Sequence, residues 1–398
     1  MDDSIFKDIT VLTLEQATVA PYLTYRLAQD GMKVIRVENP AMPDPNRFIG
    51  DNRLNEEGMN TYFLAINAGK KDITLNLAES RGQEILKELI VKLDVDIFIT
   101  NQLPRNYVKL GIDYDILSAV KKDLIWVGIT GFGPDSNEAA YDPILQARGG
   151  LMELTGEKDG NPVVTGIPLP DMGTSEHSYG LIMKALLNKA LTKEGSRIDM
   201  GMFQSTVSWL TVPVCLAKSF NMHVTRRGNT HEFFAPVSVY QTKDGYVYIA
   251  VGNDRQWESV TAIPAFKHLN REDYKRNAGR IADVDNLNRA IDEVTVTFST
   301  DELIKIFNEA KVAISRVNTI PEVLEEPIVQ KNMLKSMDKH SGTELTLAPP
   351  PNMTPYLEFM DLSLSFPPRL GEHNEEIYKG VLGMSAEDLT SLSETKII

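Results

Sequence analysis

An alternation of strand-like and helix-like segments dominates the first part of the chain. Residues 9–14 form an apolar run rich in β-branched side chains, and the apolar residues of segment 22–28 recur at helical spacing. Gly31 is expected to end that helix, and residues 33–38 form a second strand-like run. A strand, a helix and a second strand in this order predict parallel strands joined by a right-handed crossover.

The same alternation continues for about two hundred residues. It predicts further strands over residues 72–77, 95–100 and 124–129. It predicts helices over residues 80–93, 175–191 and 202–216. The predicted fold class is therefore α/β, with a Rossmann-like large domain built on a parallel sheet.

The composition changes after Gly228, and this change suggests a second domain. A hairpin-like stretch over residues 237–251 turns at Asp244-Gly245 and is followed by polar helical segments. We expect a large domain made of residues 1–200 and 320–398 and a smaller α+β domain made of residues 225–315. Residues 201–224 and 316–319 are expected to be linkers.

Charge and cysteine content exclude several classes of protein. The 398 residues carry a formal net charge of −14, which argues against a nucleic-acid or anionic-membrane partner. Cys215 is the single cysteine, so a disulfide scaffold and a cysteine-based zinc cluster are excluded. The N-terminus begins with acidic residues 2 and 3, and no apolar stretch approaches the length of a membrane span. We therefore expect a cytoplasmic protein.

Common catalytic motifs are absent or incomplete. The glycine-rich segment 131–136 lacks the third glycine of a dinucleotide-binding turn, and Leu64 stands where a phosphate-binding loop ending at Gly69-Lys70 needs glycine. Segment 173–177 begins like an esterase elbow but ends in histidine. The six histidines do not fall at metal-ligand spacing, so we expect no metal site.

Asp171 is the carboxylate that the sequence singles out. It lies in the bend 166–173, rich in glycine and proline, directly before the predicted helix 175–191. Free N–H groups and the helix dipole stabilise an anion at such a position. Two interpretations stay open: Asp171 is a helix N-cap, or it is an exposed, ionised nucleophile that accepts an acyl group.

Short segments spread over most of the chain carry a family resemblance. In sequence order they are residues 11–14, 20–21, 31–38, 63–67, 70–77, 110–114, 130–133, 141–147, 228–229, 235–236, 317–319 and 370–373. In this order and spacing they resemble the class III CoA-transferases, which share their fold with the acyl-CoA racemases. The resemblance implies coenzyme A as the cofactor, carried as an acyl-CoA substrate, a carboxylic acid as second substrate, and an interlocked homodimer.

The resemblance also implies a role for Asp171. The family's nucleophile is an aspartate in a bend of small residues before a helix, about thirty residues after the Tyr-Asp-Pro segment, and Asp171 matches that position. Its carboxylate would form a mixed anhydride with the donor acyl group and then an aspartyl-CoA thioester. The acceptor acid would take up CoA through a second anhydride.

Further binding residues follow from the same resemblance. It implies that CoA lies along a groove formed by Thr18, Val19, Asn39, Leu75, Asn76, Leu77, Asn101, Gln102, Leu103, Lys109 and Tyr141. It places the substrate near Gln16, Arg148 and Gly149. Because arginine binds a carboxylate in a bidentate manner, Arg148, Arg226 and Arg227 are candidates to grip the free carboxylate of a dicarboxylic acid, and we expect a dicarboxylate or aromatic acid as acceptor. Backbone amides near Gly149-Gly150 or Gly228 would stabilise oxyanions.

Two positions depart from the family pattern. Asn39 and Ala139 stand where many members carry basic residues, so other cations must contact the phosphates of CoA. The candidate substitutes are Arg36, Lys70, Lys71 and Arg105.

Two other functions remain as alternatives. An acyl-CoA racemase or isomerase of the same fold needs a second base, and the segment Ala140-Tyr141-Asp142 lacks the histidine that supplies it in that branch. The other alternative is a catalytically silent acyl-CoA-binding protein.

Overall fold

The computed structural model describes residues 4–398. The acidic residues 2 and 3, on which part of the expectation about location depends, lie outside the described residues. Between Ser4 and Ile398 no helix is both long and apolar enough to cross a membrane.

The described chain contains strands and helices in alternation over its first half. The strands are β1 Thr10–Leu14, β2 Lys33–Glu38, β3 Lys70–Thr74, β4 Ile97–Thr100, β5 Ile125–Thr130, β6 Ser196–Gly201, β7 Val237–Gln241, β8 Tyr246–Ala250, β9 Ala313–Arg316, β10 Leu334–Met337 and β11 Glu344–Leu347. The helices are α1 Val19–Gln29, α2 Thr61–Ala65, α3 Ser80–Lys92, α4 Tyr114–Val120, α5 Asp142–Arg148, α6 Leu151–Leu154, α7 Leu169–Thr192, α8 Met202–Ser208, α9 Thr211–Phe220, α10 Asp254–Ala262, α11 Asn277–Ala282, α12 Val284–Thr295, α13 Thr300–Glu309, α14 Ile320–Leu324, α15 Pro327–Asn332, α16 Pro355–Phe359 and α17 Ala386–Glu394.

Six strands form one parallel sheet in the order β3-β2-β1-β4-β5-β6. Every neighbouring pair in this sheet is parallel. The predicted α/β class with a Rossmann-like parallel sheet is therefore confirmed. The strand order reverses between β1 and β4, and ligands of such sheets bind in the crevice at the carboxyl ends of the strands at that point.

Both faces of the parallel sheet are covered. Neighbouring residues point to opposite faces, so Leu12 packs into a cluster that includes residues of α3 and α4, whereas Val11 packs with residues of α1 and α7. Burial on both faces explains why the strands are continuously apolar and why their positions could be predicted from the sequence.

Two predicted boundaries were wrong for local reasons. The third strand ends at Thr74, so the continuation to Leu77 is not part of β3. The helix predicted over 202–216 is broken into α8 and α9 at Trp209 and Leu210. Pro213 explains the break, because its ring would collide with the carbonyl four residues earlier, whereas the first turn of α9 accepts it.

The chain divides into two compact units. Unit 1 holds residues 1–150, 165–214 and 328–398, of which 4 onward are described, and it contains the parallel sheet and the antiparallel pair β10 and β11. Unit 2 holds residues 151–164 and 215–327. In unit 2 an antiparallel sheet of β7, β8 and β9 packs with helices α10, α12 and α13 around its own apolar core.

Candidate active site

Asp171 is the third residue of α7, not its N-cap. The helix begins at Leu169, and its N-cap is Pro168, which offers no capping side chain. Pro170 fits the first turn, where a missing N–H costs no intrahelical hydrogen bond. The N-cap interpretation of Asp171 is therefore wrong, and its carboxyl group is free of that structural task.

The Asp171 carboxyl group is half-buried and lacks a hydrogen-bond partner. Among residues 4–398 no side chain or backbone N–H donates to it, although buried carboxylates usually accept such bonds. Burial, followed by the nearby charge of Asp142, raises the pKa of Asp171 from 3.8 to about 7. A strongly shifted, unpartnered carboxyl group is typical of a functional position.

Asp142, the first residue of α5, is tied to the turn that carries Asp171. The backbone N–H of Asp171 donates to Asp142 Oδ2 at 3.1 Å. Gln146 Nε2 donates to Asp142 Oδ1 at 2.6 Å, and Gln146 Oε1 accepts the backbone N–H of Thr165 at 2.9 Å. These contacts connect α5 to the segment that leads into α7.

A serine joins the start of α1 to the first turn of α7. The Ser175 hydroxyl lies 2.6 Å from the carbonyl oxygen of Val19 and 2.8 Å from that of Asp171. Because Val19 begins the helix that follows β1, Asp171 lies beside the carboxyl end of β1. The predicted residues Thr18 and Val19 are thereby brought together with Asp171, and both are buried.

Gln16 and Asn101 meet at the point where the strand order reverses. The Gln16 N–H donates to Asn101 Oδ1 at 3.1 Å, and Asn101 Nδ2 donates back to the Gln16 carbonyl at 2.7 Å. These two predicted residues follow β1 and β4, so they close the crevice that the sheet topology predicts. Gln102 and Leu103 continue the same loop and are partly exposed.

The loop after β1 contains an alanine, Ala17, whose backbone adopts the left-handed conformation that glycine usually occupies. Ala17 has a φ of +61°, a conformation that non-glycine residues adopt only when other contacts hold it. Its N–H donates to Asp44 Oδ1 at 3.0 Å, and Asn46 Nδ2 donates to its carbonyl at 2.5 Å. The missing glycine fingerprint is thus compensated by tertiary contacts to the Ala17 backbone.

A buried ionic network that the sequence did not reveal lies behind this loop. Its cations and carboxylates, each at most 3% exposed, are Arg36, Arg47, Lys70, Glu15, Glu38, Asp44 and Asp72. Close ion pairs within it include Arg47 with Glu38 at 2.7 Å, Lys70 with Glu15 at 2.9 Å and Arg36 with Asp44 at 3.0 Å. No sequence pattern could have grouped these residues, because they come from separate strands and loops.

The pKa values of two carboxylates in this network, Asp72 and Glu38, are shifted in opposite directions. Burial and the adjacent Glu38 raise the pKa of Asp72, whereas Arg36 and Arg47 hold the pKa of Glu38 below its ordinary value. Arg36 and Lys70 are therefore structural, and the hypothesis that they contact the phosphates of CoA is wrong because both are buried and paired.

The remaining cationic candidates differ in availability. Lys71 forms an ion pair with Glu376. Lys109 and Arg105 are exposed, and neither forms an ion pair with any residue from 4 to 398. Arg105 and Lys109 are therefore the two candidates that stay open to a phosphate group.

The predicted residues after β3 divide into core and surface positions. The side chains of Leu75 and Leu77 are buried in the apolar cluster of the sheet. Asn39 Nδ2 donates to Asn76 Oδ1 at 3.2 Å, so these two predicted residues lie together. Asn76 also donates its N–H to the carbonyl of Ile397 at 2.7 Å, which ties this edge to the C-terminal segment.

The predicted substrate residues on α5 are held by local contacts. Arg148 pairs with Glu138 at 2.7 Å on the surface and lies over the ring of Phe132. Gly149 is buried, and a Cβ there would lie 2.6 Å from the carbonyl oxygen of Leu145, which already accepts the Gly149 N–H. Tyr141, just before α5, is 72% exposed.

The two other arginines considered for a carboxylate, Arg226 and Arg227, lie in unit 2. Arg226 pairs with Glu153 at 2.6 Å and Arg227 with Glu232 at 2.8 Å. Since these pairs lie on partly exposed side chains, they stabilise the fold little and can be exchanged for a ligand carboxylate.

An aromatic cluster that the sequence did not reveal lies next to the first turn of α7. A Cβ on Gly173 would overlap the indole of Trp209, so only glycine lets this ring approach α7 so closely. The indole N–H donates to His177 Nε2 at 2.8 Å, and His177 Nδ1 lies 2.8 Å from Ser205 Oγ. His177 is therefore neutral with its proton on Nδ1, and it holds Trp209 beside the first turns of α7.

The sequence matches the family model described as CoA-transferase family III over residues 6–374. The chain belongs to CoA-transferase family III. The match covers most of the chain, including the loop after β1, α5 and Asp171. The family named by the resemblance is thus confirmed, and the chain is a transferase.

Curated relatives agree with this family. Succinyl-CoA:glutarate CoA-transferase of Mus musculus is 31% identical over 378 residues, covering 94% of this chain and 86% of that protein. Succinyl-CoA:mesaconate CoA-transferase of Haloarcula hispanica is 30% identical, covering 93% of this chain and 94% of that protein. Formyl-CoA:oxalate CoA-transferase of Streptomyces coelicolor is 27% identical, and the match covers all of both chains.

A solved structure shows the same fold. The crystal structure of a CAIB/BAIF family protein from Brucella suis superposes with a TM-score of 0.82 and is 29% identical. It covers 95% of this chain and 99% of that protein.

Proposed function

We propose that the protein transfers CoA from an acyl-CoA donor to a free carboxylic acid, with Asp171 as the nucleophile. The observation that carries this proposal is the half-buried Asp171 carboxyl group, which accepts no hydrogen bond from residues 4–398 and lies beside the carboxyl end of β1. Its raised pKa makes the carboxylate a stronger base, and a stronger base is a better nucleophile once it is ionised.

The first half of the reaction loads CoA onto the enzyme. An Asp171 oxygen attacks the carbonyl carbon of the donor thioester, the carbon–sulfur bond breaks, and CoA leaves as a thiolate. The thiolate then attacks the Asp171 carbonyl carbon of the mixed anhydride. This step releases the donor acid as a carboxylate and leaves an aspartyl-CoA thioester.

The second half repeats these steps with the acceptor. An acceptor carboxylate attacks the aspartyl thioester and displaces the CoA thiolate, which gives a second anhydride. Attack of the thiolate on the acceptor carbonyl carbon forms the new acyl-CoA and regenerates the Asp171 carboxylate. Thioester energy is kept in covalent form throughout, provided that water is excluded from the intermediates.

The CoA groove is proposed to follow the crevice between β1 and β4. Gln16, Thr18, Val19 and Asn101 would line its start. The contact of Gln16 with Asn101 between the two strand ends, and the Ser175 hydroxyl that joins Val19 to Asp171, support this assignment. Asn39 and Asn76 provide amide groups farther along the sheet edge. Arg105 or Lys109 would supply the positive charge for a phosphate of CoA, as a point charge in the case of the lysine.

For the substrates, we propose succinyl-CoA as donor and a dicarboxylic acid as acceptor. The names of three relatives support this choice, since glutarate, mesaconate and oxalate all carry two carboxylates. One carboxylate of the acceptor reacts, and the other needs a cation. Arg148 is the candidate in unit 1, where the exposed pair with Glu138 can open to admit a ligand.

We also propose that the protein is a homodimer. Helix α9 has no buried residue, and Val212, Val214 and Phe220 are each at least 48% exposed. Trp209 and Met222 beside the helix are also exposed. An apolar surface of this kind is typical of a subunit interface.

One experiment tests the catalytic assignment. The protein is mixed with succinyl-CoA and a panel of mono- and dicarboxylic acids, and acyl-CoA products are followed by mass spectrometry. In a parallel sample without acceptor, borohydride or hydroxylamine converts an aspartyl thioester into a stable product whose position is read from the peptides. We expect transfer to a dicarboxylic acid and modification at Asp171.

Two variants complete this test. Asp171→Asn should abolish both transfer and trapping, whereas Asp115→Asn, which changes an exposed carboxylate in the first turn of α4, should leave both intact. Full activity of Asp171→Asn, or a trapped residue elsewhere, would contradict the assignment. Deuterium exchange at the α-carbon without transfer would favour the racemase, and bound CoA with neither reaction would favour a silent binding protein.

A further inference from the structure

The first turn of α7 leaves one N–H group, that of Asp171, which no neighbouring residue in the sequence satisfies. Pro170 has no N–H, and Pro168 at the N-cap has no side chain that could accept one. The N–H groups of Leu169 and Met172 bond to the carbonyls of Ile167 and Pro168. The remaining group, the N–H of Asp171, is satisfied from another helix by Asp142 Oδ2.

Asp142 is well suited to serve as this remote cap. It is 7% exposed, and its other oxygen accepts the Gln146 amide at 2.6 Å, so both of its oxygens are fixed. Gln146 is itself held by the N–H of Thr165. Two ordered donors hold the Asp142 carboxylate in one position. Because one of these donors is the Asp171 N–H, the first turn of α7 is held in place as well.

Asp142 is also the charge that acts on the Asp171 carboxyl group. Other ionisable groups on the elements around Asp171 are engaged elsewhere: Glu176 pairs with Arg26 of α1, and neutral His177 bonds to Trp209 and Ser205 of the segment around α8. Burial is the larger cause of the raised pKa of Asp171, and Asp142 is the second. Two neighbouring carboxylates resist simultaneous ionisation.

We propose that Asp142 is a positioning residue for the nucleophile. Asp142 accepts the N–H of Asp171 and so orients the first turn of α7, and the negative charge of Asp142 keeps the Asp171 carboxylate basic. The proposal rests on the proposed function, since it gives Asp142 a role in the reaction of Asp171. Asp142 does not itself touch the reacting atoms in this scheme.

Asp142→Asn separates the two effects. The amide oxygen can still accept the Asp171 N–H. If the Gln146 amide turns so that its oxygen faces the new NH2 group, Thr165 Oγ1 can accept from the Gln146 NH2 group, whereas the Thr165 N–H loses its acceptor. The variant keeps the hydrogen bond and loses the charge. Asp142→Ala loses both.

The readout is kcat against pH from 5 to 9 with saturating donor and acceptor. For Asp142→Asn we expect the acid limb to move by about one pH unit to lower pH, with a plateau two- to five-fold lower than that of the wild type. Asp142→Ala should lower the plateau at least ten-fold. An acid limb of Asp142→Asn that stays in place or moves upward would overturn the proposal.

A second measurement does not depend on a folded Asp142 variant. Because Asp142 is already ionised when Asp171 titrates, the Asp142 carboxyl group should sense the ionisation of Asp171. Carbon-13 NMR of carboxyl-labelled aspartate should therefore show, in the wild type, a second step in the Asp142 resonance at the pH where Asp171 titrates, and this step should be absent from Asp171→Asn. A wild-type Asp142 resonance without that step would overturn the coupling. If Asp171→Asn retains transfer activity, the proposed function fails instead, whatever the Asp142 titration shows.

Discussion

Replacing Asp171 with asparagine should stabilise the protein while it abolishes activity. Burial and Asp142 raise the pKa of Asp171 from 3.8 to about 7, so the ionised form is disfavoured in the folded state. At about 1.36 kcal/mol per pH unit, this shift corresponds to roughly 4 kcal/mol at pH 8. Since asparagine is also polar and still partly buried, we expect a gain of about 2–3 kcal/mol in the free energy of unfolding.

The sign of this effect gives it a pH signature. Below the unfolded pKa both states are protonated, and Asp171 carries no electrostatic penalty. As the pH rises from about 4 to 7, the unfolded state loses its proton first, and the wild type is progressively destabilised. Above pH 7 the folded state ionises as well, and the penalty becomes constant. The advantage of Asp171→Asn should therefore grow between about pH 4 and 7 and then level off.

Urea unfolding at pH 4.5, 6 and 8 measures this difference for unit 1. Trp126 and Trp209 report on unit 1 by fluorescence, and Trp257→Phe in both proteins removes the signal of unit 2. Asp115→Asn is the matched control, because Asp115 also lies in a first helical turn but is exposed. A gain for Asp171→Asn that is equal at all three pH values, or no gain at all, would refute the electrostatic argument.

Two predictions concern the CoA groove. Asp44→Asn should weaken the hold on the left-handed Ala17 and remove one of the carboxylates that pair with the buried Arg36. We expect this change to lower stability by about 3–5 kcal/mol and to raise the KM for acyl-CoA more than five-fold, with kcat within three-fold of wild type. An unchanged KM in steady-state assays would show that the loop does not need this anchor. Lys109→Ala should raise the KM for acyl-CoA about five-fold at low salt and not in 0.5 M salt, whereas Lys92→Ala on the exposed end of α3 should have no effect. A salt-independent result, or the same loss for both lysines, would exclude a phosphate contact at Lys109.

The predictable part of the fold is the part with strong local patterns. Strands β1, β2, β4 and β5 lie close to their predicted positions, because buried parallel strands are apolar throughout and are separated by amphipathic helices. Where β3 ends and where α8 stops depended on weaker signals. Pro213 is a sequence signal for the helix break. The apolar residues around Pro213 nevertheless favoured one continuous helix in the prediction.

The candidate site was predictable only in part for the same reason. Asp171 was identified from its bend and its family position, but its place inside α7 shows that it is not a cap. The sequence predicts that Arg36 and Lys70 are available to a phosphate, because a sequence shows charge and not burial. In the structure they face buried carboxylates from β2, from β3, from the residue directly after β1 and from the loop that holds Asp44.

The sequence by itself determined the α/β class and the succession of elements, and it singled out Asp171 as the candidate nucleophile. Those properties depend on hydrophobic period, on turn residues and on the order of short segments, all of which are local along the chain. The tertiary structure alone decided what surrounds Asp171. Asp142 lies twenty-nine residues before it and Val19 more than 150, yet one accepts its N–H and the other shares the Ser175 hydroxyl with it. The pKa and orientation of a carboxyl group are set by charges and donors within a few ångströms, and distance along the chain does not predict them.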